Sequence, residues 1–498
     1  MADVILVFPS TGIASGQYRM LPLSVLMLAA PLEAHGYSVR IIDQRGNPAW
    51  RQELKDELAA QRPVMVGISS MTGQQIGGGL SAARVVRDAA PGVPIVWGGV
   101  HPSLLPEETV AHDLVDVVVV GEGEVTVVEL VGALRAGTSL SKVAGLCFKE
   151  NGRVTRTPDR PFADLASLPE PAYHLVDIER YRVAPLLTGE KSLPLLTSRG
   201  CPFRCTYCYN VRFNHRTWRA LPAGEVVRRM RSMKERFGIS GVLLLDDNFF
   251  CNLGRVREVC RLLIEQRLGL AVHNANCRAD TVVRLDDELL GLLKKAGFTQ
   301  ILIGVESGSP GVLERMKKDI TPDQVLEANR ILRKHGIKPY YTFMAGFPYE
   351  TAADVRTTLA FMSRLLDENP DAVLSRLSLI APYPGTELLD DCVAAGLRPP
   401  ADLEGWVQCG HANLNFRGFD RKHTALLHKA QLISFFLDRK KIEMNNRILR
   451  SVATLYSRVV RARARRDFYA CMPELVLARG VQKALVAFRA LRRGDSMD

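Results

Sequence analysis

Ser198-Arg199-Gly200-Cys201-Pro202-Phe203-Arg204-Cys205-Thr206-Tyr207-Cys208-Tyr209 is the stretch on which the reading of this chain turns. Its cysteines stand at C-x3-C-x2-C spacing, directly after a short apolar run at 194–198. That order puts Cys201, Cys205 and Cys208 on a loop at the C-terminal end of a strand. Three thiolates on one loop can reach three corners of a cubane iron–sulfur cluster and leave the fourth iron open. An open iron can bind and cleave a ligand, whereas a fully ligated cluster only passes electrons. The competing reading is a zinc site with His215 as fourth ligand. Structural zinc loops more often use paired C-x2-C spacings, and no second pair is present. The remaining cysteines are scattered and read as core residues. Cys251 and Cys277 also follow strand candidates, so a contact with substrate or cofactor is open for them.

Outward from the motif, short apolar runs alternate with helical patterns. Strand candidates lie at 194–198, 241–246, 272–276, 300–305, 340–345 and 374–381, with amphipathic helices such as 225–237 and 352–366 between them. Six such units fit a partial barrel, whose working residues sit at the C-terminal strand ends. The first 135 residues repeat the alternation, with apolar runs at 4–9, 38–43, 64–70, 95–98 and 115–120. Continuous apolar runs separated by helices read as buried parallel strands of an open, doubly wound sheet. Runs at 146–149 and 154–157 flank Asn151-Gly152, a hairpin signal. The expected fold is α/β throughout: a doubly wound Rossmann-like domain over 1–140, a connector over 141–193, a partial (β/α)6 barrel over 194–385, and a helical region over 386–498. Residues 424–466 read as one long helix or a broken pair, and Pro473 as the start of a new element.

The order of segments along the barrel resembles the radical S-adenosylmethionine (SAM) superfamily. Leu245-Asp246-Asp247-Asn248-Phe249 ends the second strand, Arg278-Ala279-Asp280 follows the third, Ile303-Gly304-Val305-Glu306-Ser307-Gly308 ends the fourth, and Met344-Ala345-Gly346-Phe347-Pro348 ends the fifth. Taken singly, Glu306 reads equally as a surface carboxylate, and Asp246, Asp247 and Asp280 as helix caps. The resemblance implies a [4Fe-4S] cluster on Cys201, Cys205 and Cys208, with SAM held by Tyr207, Asp247, Asn248, Arg278, Glu306, Ser307 and Gly346. A doubly wound domain in front of such a barrel resembles the cobalamin-binding domain of class B radical SAM enzymes. The matching segments include Leu21-Pro22-Leu23-Ser24, Ser69-Ser70-Met71-Thr72, Gly98-Gly99-Val100-His101-Pro102 and Gly121-Glu122-Gly123-Glu124. By this resemblance Ser69, Thr72, Gly98, Gly99, Gly121, Glu122 and Gly123 face cobalamin. The D-x-H-x-x-G pattern that supplies a lower-face histidine in many cobalamin proteins is missing. His35 falls within a helix and His101 reads as structural, so base-off cobalamin without histidine ligation is expected.

The resemblance implies a 5′-deoxyadenosyl radical and methylcobalamin acting on an unactivated carbon of a small-molecule substrate, with no catalytic side chain assigned beyond the cluster ligands. An oxidative cyclase of the anaerobic Mg-protoporphyrin ester type is the second reading, and a non-catalytic sensor a third. An external donor such as flavodoxin or ferredoxin would reduce the cluster. The C-terminal helices are expected over the barrel mouth, where Asp246 and Tyr383 are further candidates to face the substrate.

Composition bounds these readings. The 498 residues, 47% apolar and 24% charged, suit a folded chain of about three domains. The start, MADVILVFPSTG, has no signal-peptide character and no apolar run reaches a membrane-spanning length. The expected place is the cytosol. The net charge of +12 resides in the last segment: from Arg421 onward there are 18 basic and 6 acidic residues. No nucleic-acid motif accompanies it. Arg458, Arg461, Arg463, Arg465 and Arg466 lie beside Leu455, Val459 and Val460. A solvated helical face and a helix resting on an anionic membrane both fit this pattern.

Overall fold

The computed structural model describes residues 2–11, 20–60, 62–181, 191–410, 415–416, 418–438, 447–466 and 468–469. Five parallel strands open the chain: β1 (Val4–Phe8), β2 (Val39–Asp43), β3 (Met65–Ser69), β4 (Ile95–Gly98) and β5 (Val117–Val119). They stand in the order β2-β1-β3-β4-β5, and the hairpin β6 (Leu146–Glu150) and β7 (Arg153–Arg156) extends the sheet antiparallel from β5. The chain reverses direction across the sheet between β1 and β3, the crevice where open α/β sheets bind ligands. Alternation along the strands explains the two covered faces. Leu6, Met65, Val96 and Val119 enter one core, while Ile5, Val7, Val66, Ile68 and Val118 enter another. The first core runs unbroken into the barrel, so the two domains share apolar packing.

The barrel strands are β8 (Ser192–Leu195), β11 (Gly241–Leu244), β12 (Ala271–His273), β13 (Ala275–Cys277), β14 (Gln300–Glu306), β15 (Lys338–Ala345), β16 (Val373–Leu374) and β17 (Ser378–Leu379). Every pairing among them is parallel. β12 and β13 are one strand broken at Asn274, which adopts φ 61°. Six strand positions therefore follow one another, as the sequence pattern predicts. Between β8 and β11, β9 (Ser198–Arg199) and β10 (Arg219–Ala220) form a small antiparallel pair around the cysteine loop. Local chemistry sets the helix ends. Thr321 with Gln324, and Thr351 with Asp354, form capping boxes that satisfy free N–H groups at Pro322–Lys334 and Ala352–Glu368. Helix Ala223–Phe237 stops at left-handed Gly238.

The C-terminal segment is a broken pair, Arg421–Leu437 and Arg447–Arg466. The first helix lies against Ala352–Glu368 and closes the open edge of the barrel. Leu377 N donates to Ser434 Oγ at 2.9 Å and Leu374 N to Asp438 Oδ2 at 3.1 Å. An incomplete barrel leaves an edge strand with free backbone groups, and the end of this helix satisfies that edge. Arg461 donates to the Leu437 carbonyl and Arg465 pairs with Asp367, while Val460 is buried. Pro473 falls outside the described residues, as does the side chain of Leu455. Among the described residues, no helix is long and apolar enough to cross a membrane.

Candidate cofactor site

A cavity of about 380 Å³ opens between the sheet crevice and the barrel mouth. Leu6, Met65, Gly67, Val96 and Val119 on the sheet, with Val25 and Leu28 on helix Leu23–Ala34, form a mostly apolar slot. Ser69, Gly98, Gly99, Gly121, Glu122 and Gly123 line the same cavity, and Leu245, Asp247 and Tyr209 face them from the barrel. Close packing fixes the glycines. Gly99 has φ 100° and ψ −166°, and a Cβ there would lie 2.6 Å from the Ser70 carbonyl oxygen. A Cβ at Gly67 would lie 2.8 Å from Leu6 Cδ2. A Cβ at Gly121, by contrast, would meet no atom within 4 Å, so this part of the wall is bare backbone. Thr72 is turned away from the cavity and bonds His101 Nδ1 at 3.0 Å. His101 is fully buried against Trp406, and burial pushes its imidazole down to about 4.

The cysteine loop is fixed at both ends. Gly200, with φ 85°, leaves no room for a Cβ beside the Thr217 carbonyl, and its N–H donates to Asp247 Oδ2 at 2.7 Å. Thr206 N donates to the Met316 carbonyl at 3.0 Å, and Leu388 N to the Thr206 carbonyl at 3.0 Å. Burial raises the Cys201 thiol and pushes that of Cys208 up to about 12. Cationic iron reverses this preference, since coordination deprotonates a thiol. Among the described residues, no three His, Cys, Asp or Glu side chains are set to hold a single metal ion. A cubane takes its thiolates on separate iron atoms, so the loop fits a cluster better than a lone zinc. His215 packs its ring against Phe162, 5.9 Å between centroids.

Glu306 sits where the β14–β15 register shifts, with φ 70°, and this bulge aims its carboxylate inward. Its Oε1 accepts from Tyr207 Oη at 3.3 Å and from Thr342 Oγ1 at 3.4 Å, and pairs with Lys318 Nζ at 3.4 Å. Lys318 Nζ also donates to Tyr207 Oη at 2.9 Å. Burial favours neutral Lys318, but the negative charges of Glu306 and Cys205 together outweigh it and hold the ammonium above its ordinary range. The group is a compact polar seat beside the cysteine loop. Other expected contacts are tied internally. Arg278 lies 3.8 Å over the Phe203 ring and donates to the Lys318 and Asp319 carbonyls. Ser307 is buried on Thr358, Asn248 Oδ1 accepts from Phe250 N, and Gly346 N donates to Glu350 Oε2 at 2.5 Å. Asp246 accepts from Thr197 and Ser198 and does not line the interdomain cavity. Tyr383 packs 5.7 Å from Tyr209. Cys277 donates to the Arg278 carbonyl, and neither it nor Cys251 lines the interdomain cavity.

Sequence reasoning passed over Lys318, Thr342, Arg199, Arg219 and Glu124. Arg199 and Glu124 carried a signal, by standing inside the stretches 198–209 and 121–124. Lys317-Lys318 reads as an exposed pair, yet Lys318 is 7% exposed.

The cavity and the cysteine loop meet at Asp247, which lines the one and accepts from Gly200 N of the other. Comparison with known proteins gives the family. The radical SAM superfamily model matches residues 195–362, and the B12 binding domain model matches residues 9–131. The chain belongs to the cobalamin-dependent radical SAM enzymes. It is 28% identical over 418 residues to the uncharacterized methyltransferase PH0819 of Pyrococcus horikoshii, covering 84% of this chain and 88% of that one. It is 27% identical over 377 residues to the anaerobic magnesium-protoporphyrin IX monomethyl ester cyclase of Synechocystis, covering 74% and 72%. The structure of TsrM, a radical SAM methyltransferase from Kitasatospora setae, shares the fold at TM-score 0.68 and 19% identity over 97% of this chain and 99% of that one.

Proposed function

We propose that the protein is a C-methyltransferase acting on an unactivated carbon of a small-molecule substrate. The observation that carries this is one cleft shared by both cofactor sites, with Asp247 belonging to the cavity wall and to the cysteine loop through Gly200. The similarity to PH0819 along most of both chains favours methyl transfer. When bound, the cluster and SAM supply a radical that removes hydrogen, and cobalamin supplies a methyl group. The protein's own part is orientation and exclusion of water. The sheet glycines seat a flat ligand, and the Glu306–Lys318–Tyr207 group is suited to a zwitterionic or hydroxylated ligand. Base-off cobalamin without histidine ligation, expected from the missing D-x-H-x-x-G pattern, is part of this reading. A flavodoxin- or ferredoxin-like protein would deliver the electrons. The similarity to the ester cyclase favours a second reading, oxidative cyclisation.

Anaerobic turnover with candidate lipid, tetrapyrrole and peptide substrates separates these readings. Methylation yields 5′-deoxyadenosine together with S-adenosylhomocysteine and a methylated product. Cyclisation yields 5′-deoxyadenosine with no methylated product, and a sensor yields neither above background.

A further inference from the structure

Four charged side chains lie buried where the two cofactor domains meet, and the chemistry above uses none of them. Glu122 comes from the loop after β5, and Glu124 opens the helix Glu124–Ala136 that follows it. Arg199 and Arg219 come from β9 and β10 of the barrel. Arg219 grips Glu122 with both terminal nitrogens, Nη2 to Oε1 at 2.7 Å and Nη1 to Oε2 at 3.0 Å. Arg199 bridges the acids, Nη1 to Glu122 Oε1 at 3.0 Å and Nη2 to Glu124 Oε1 at 2.5 Å. Side-chain exposure is 9% and 7% for the acids and 13% and 17% for the arginines, so salt screens the network little.

The barrel cannot complete this arrangement by itself. Arg199 and Arg219 are direct cross-strand partners in the β9–β10 ladder. Like charges directly opposite one another destabilise a sheet pair. Here the sheet domain inserts the Glu122 carboxylate between them and sets Glu124 against Arg199. Buried ion pairs add little net stability compared with apolar packing, and their best-attested use is to fix a register. The ends of this register are the two cofactor sites. Glu122 stands between Gly121 and Gly123 on the cavity wall. Arg199 directly precedes Gly200 and Cys201, whose positions are set by Asp247 and Thr217. Arg219 is held over the Phe162 ring at 4.0 Å and donates to the Ala163 carbonyl, which ties the connector to the same point.

We propose that Arg199, Arg219, Glu122 and Glu124 are positioning residues that set the separation between the cluster and cobalamin. Glu122 acts on cobalamin through this network and not as a direct contact. The assignment rests on the family's two cofactors and is independent of whether a methyl group is transferred.

Pulsed EPR of the anaerobic holoenzyme, with the cluster reduced and cobalamin as cob(II)alamin, reads the magnetic coupling between the two centres. The wild type should show one narrow coupling. Glu122→Gln should lose it to a broad distribution while keeping wild-type iron and cobalt contents, and Glu122→Asp should recover part of it. Hydrogen exchange on the cofactor-free chain gives a second readout. Glu122→Gln and Glu124→Gln should both lose protection at residues 121–124 and 198–201. An unchanged narrow coupling in Glu122→Gln would overturn the proposal. So would loss of cobalamin with interface protection intact, which would make Glu122 a direct contact.

Discussion

Both cofactor domains present C-terminal strand ends to one cleft, but they line it differently. The sheet domain offers Gly67, Gly98, Gly99, Gly121 and Gly123 among apolar side chains. The barrel brings Asp247, Leu245 and Tyr209 to the cleft and, beyond these lining residues, holds three cysteines and a buried Glu306–Lys318 pair. One wall recognises by shape, through backbone brought close. The other recognises by charge and coordination, through particular functional groups. A shape-based wall tolerates many side chains and fails when volume is added, whereas a chemical wall fails when one group is removed.

The sharpest way to break this contrast is at the cysteines. Cys201→Ala, Cys205→Ala and Cys208→Ala should each abolish SAM cleavage and the cluster absorbance, while cobalamin retention stays near wild type. Iron analysis and ultraviolet–visible spectra check this, and unchanged iron in all three variants would remove the cluster assignment. Next is Lys318→Met, which strands the Glu306 carboxylate in a buried site. Removing one partner of such a pair costs about 3–5 kcal/mol. Urea unfolding should show that loss, SAM affinity should fall with it, and adding Glu306→Gln should restore part of the stability.

On the sheet side, Gly99→Ala places a side chain in a backbone region reserved for glycine and against Ser70. A cost of about 1–3 kcal/mol is expected. Cobalamin retention should fall several-fold while iron content holds, the converse of the cysteine variants.

The smallest effects are pH slopes of at most about 1.4 kcal/mol per pH unit, of opposite direction in the two domains. Burial raises the Glu350 carboxyl to about 8. Between its ordinary 4.5 and that value the unfolded chain has released a proton that the folded chain keeps, so stability falls as pH rises through the window. His101 stays neutral down to about 4, while the unfolded imidazole takes a proton near 6.5. Stability therefore falls as pH drops through that lower window. Urea midpoints across pH should show Glu350→Gln gaining on wild type toward pH 8, and His101→Gln gaining toward pH 4.

The same contrast explains what could be read in advance. Cys201, Cys205 and Cys208 stood out in the sequence because coordination demands one residue type at set spacing, and the structure sets all three on one loop. The βα alternation was legible because strands covered on both faces must be apolar throughout. Gly98, Gly99 and Gly121 could be located but their work could not, because a glycine signals only that something comes close. For Gly99 that neighbour is Ser70. Lys318 was illegible because no period marks the burial of a loop lysine, and its acidic hydrogen-bond partner among the described residues, Glu306, lies 12 positions back. The C-terminal helices were legible as helices, but their site was not, because edge satisfaction depends on where the barrel ends.

By itself the sequence determined two α/β domains, a cluster loop and a cofactor crevice, since hydrophobic period, strand-end glycines and cysteine spacing are local properties. Only the tertiary structure decided that Glu122 meets Arg199 and Arg219, that Glu306 is paired inside a bulge, and that the basic helices line the barrel's flank. Those outcomes depend on charges far apart in the chain being buried together, and burial is settled by the packing of the whole molecule.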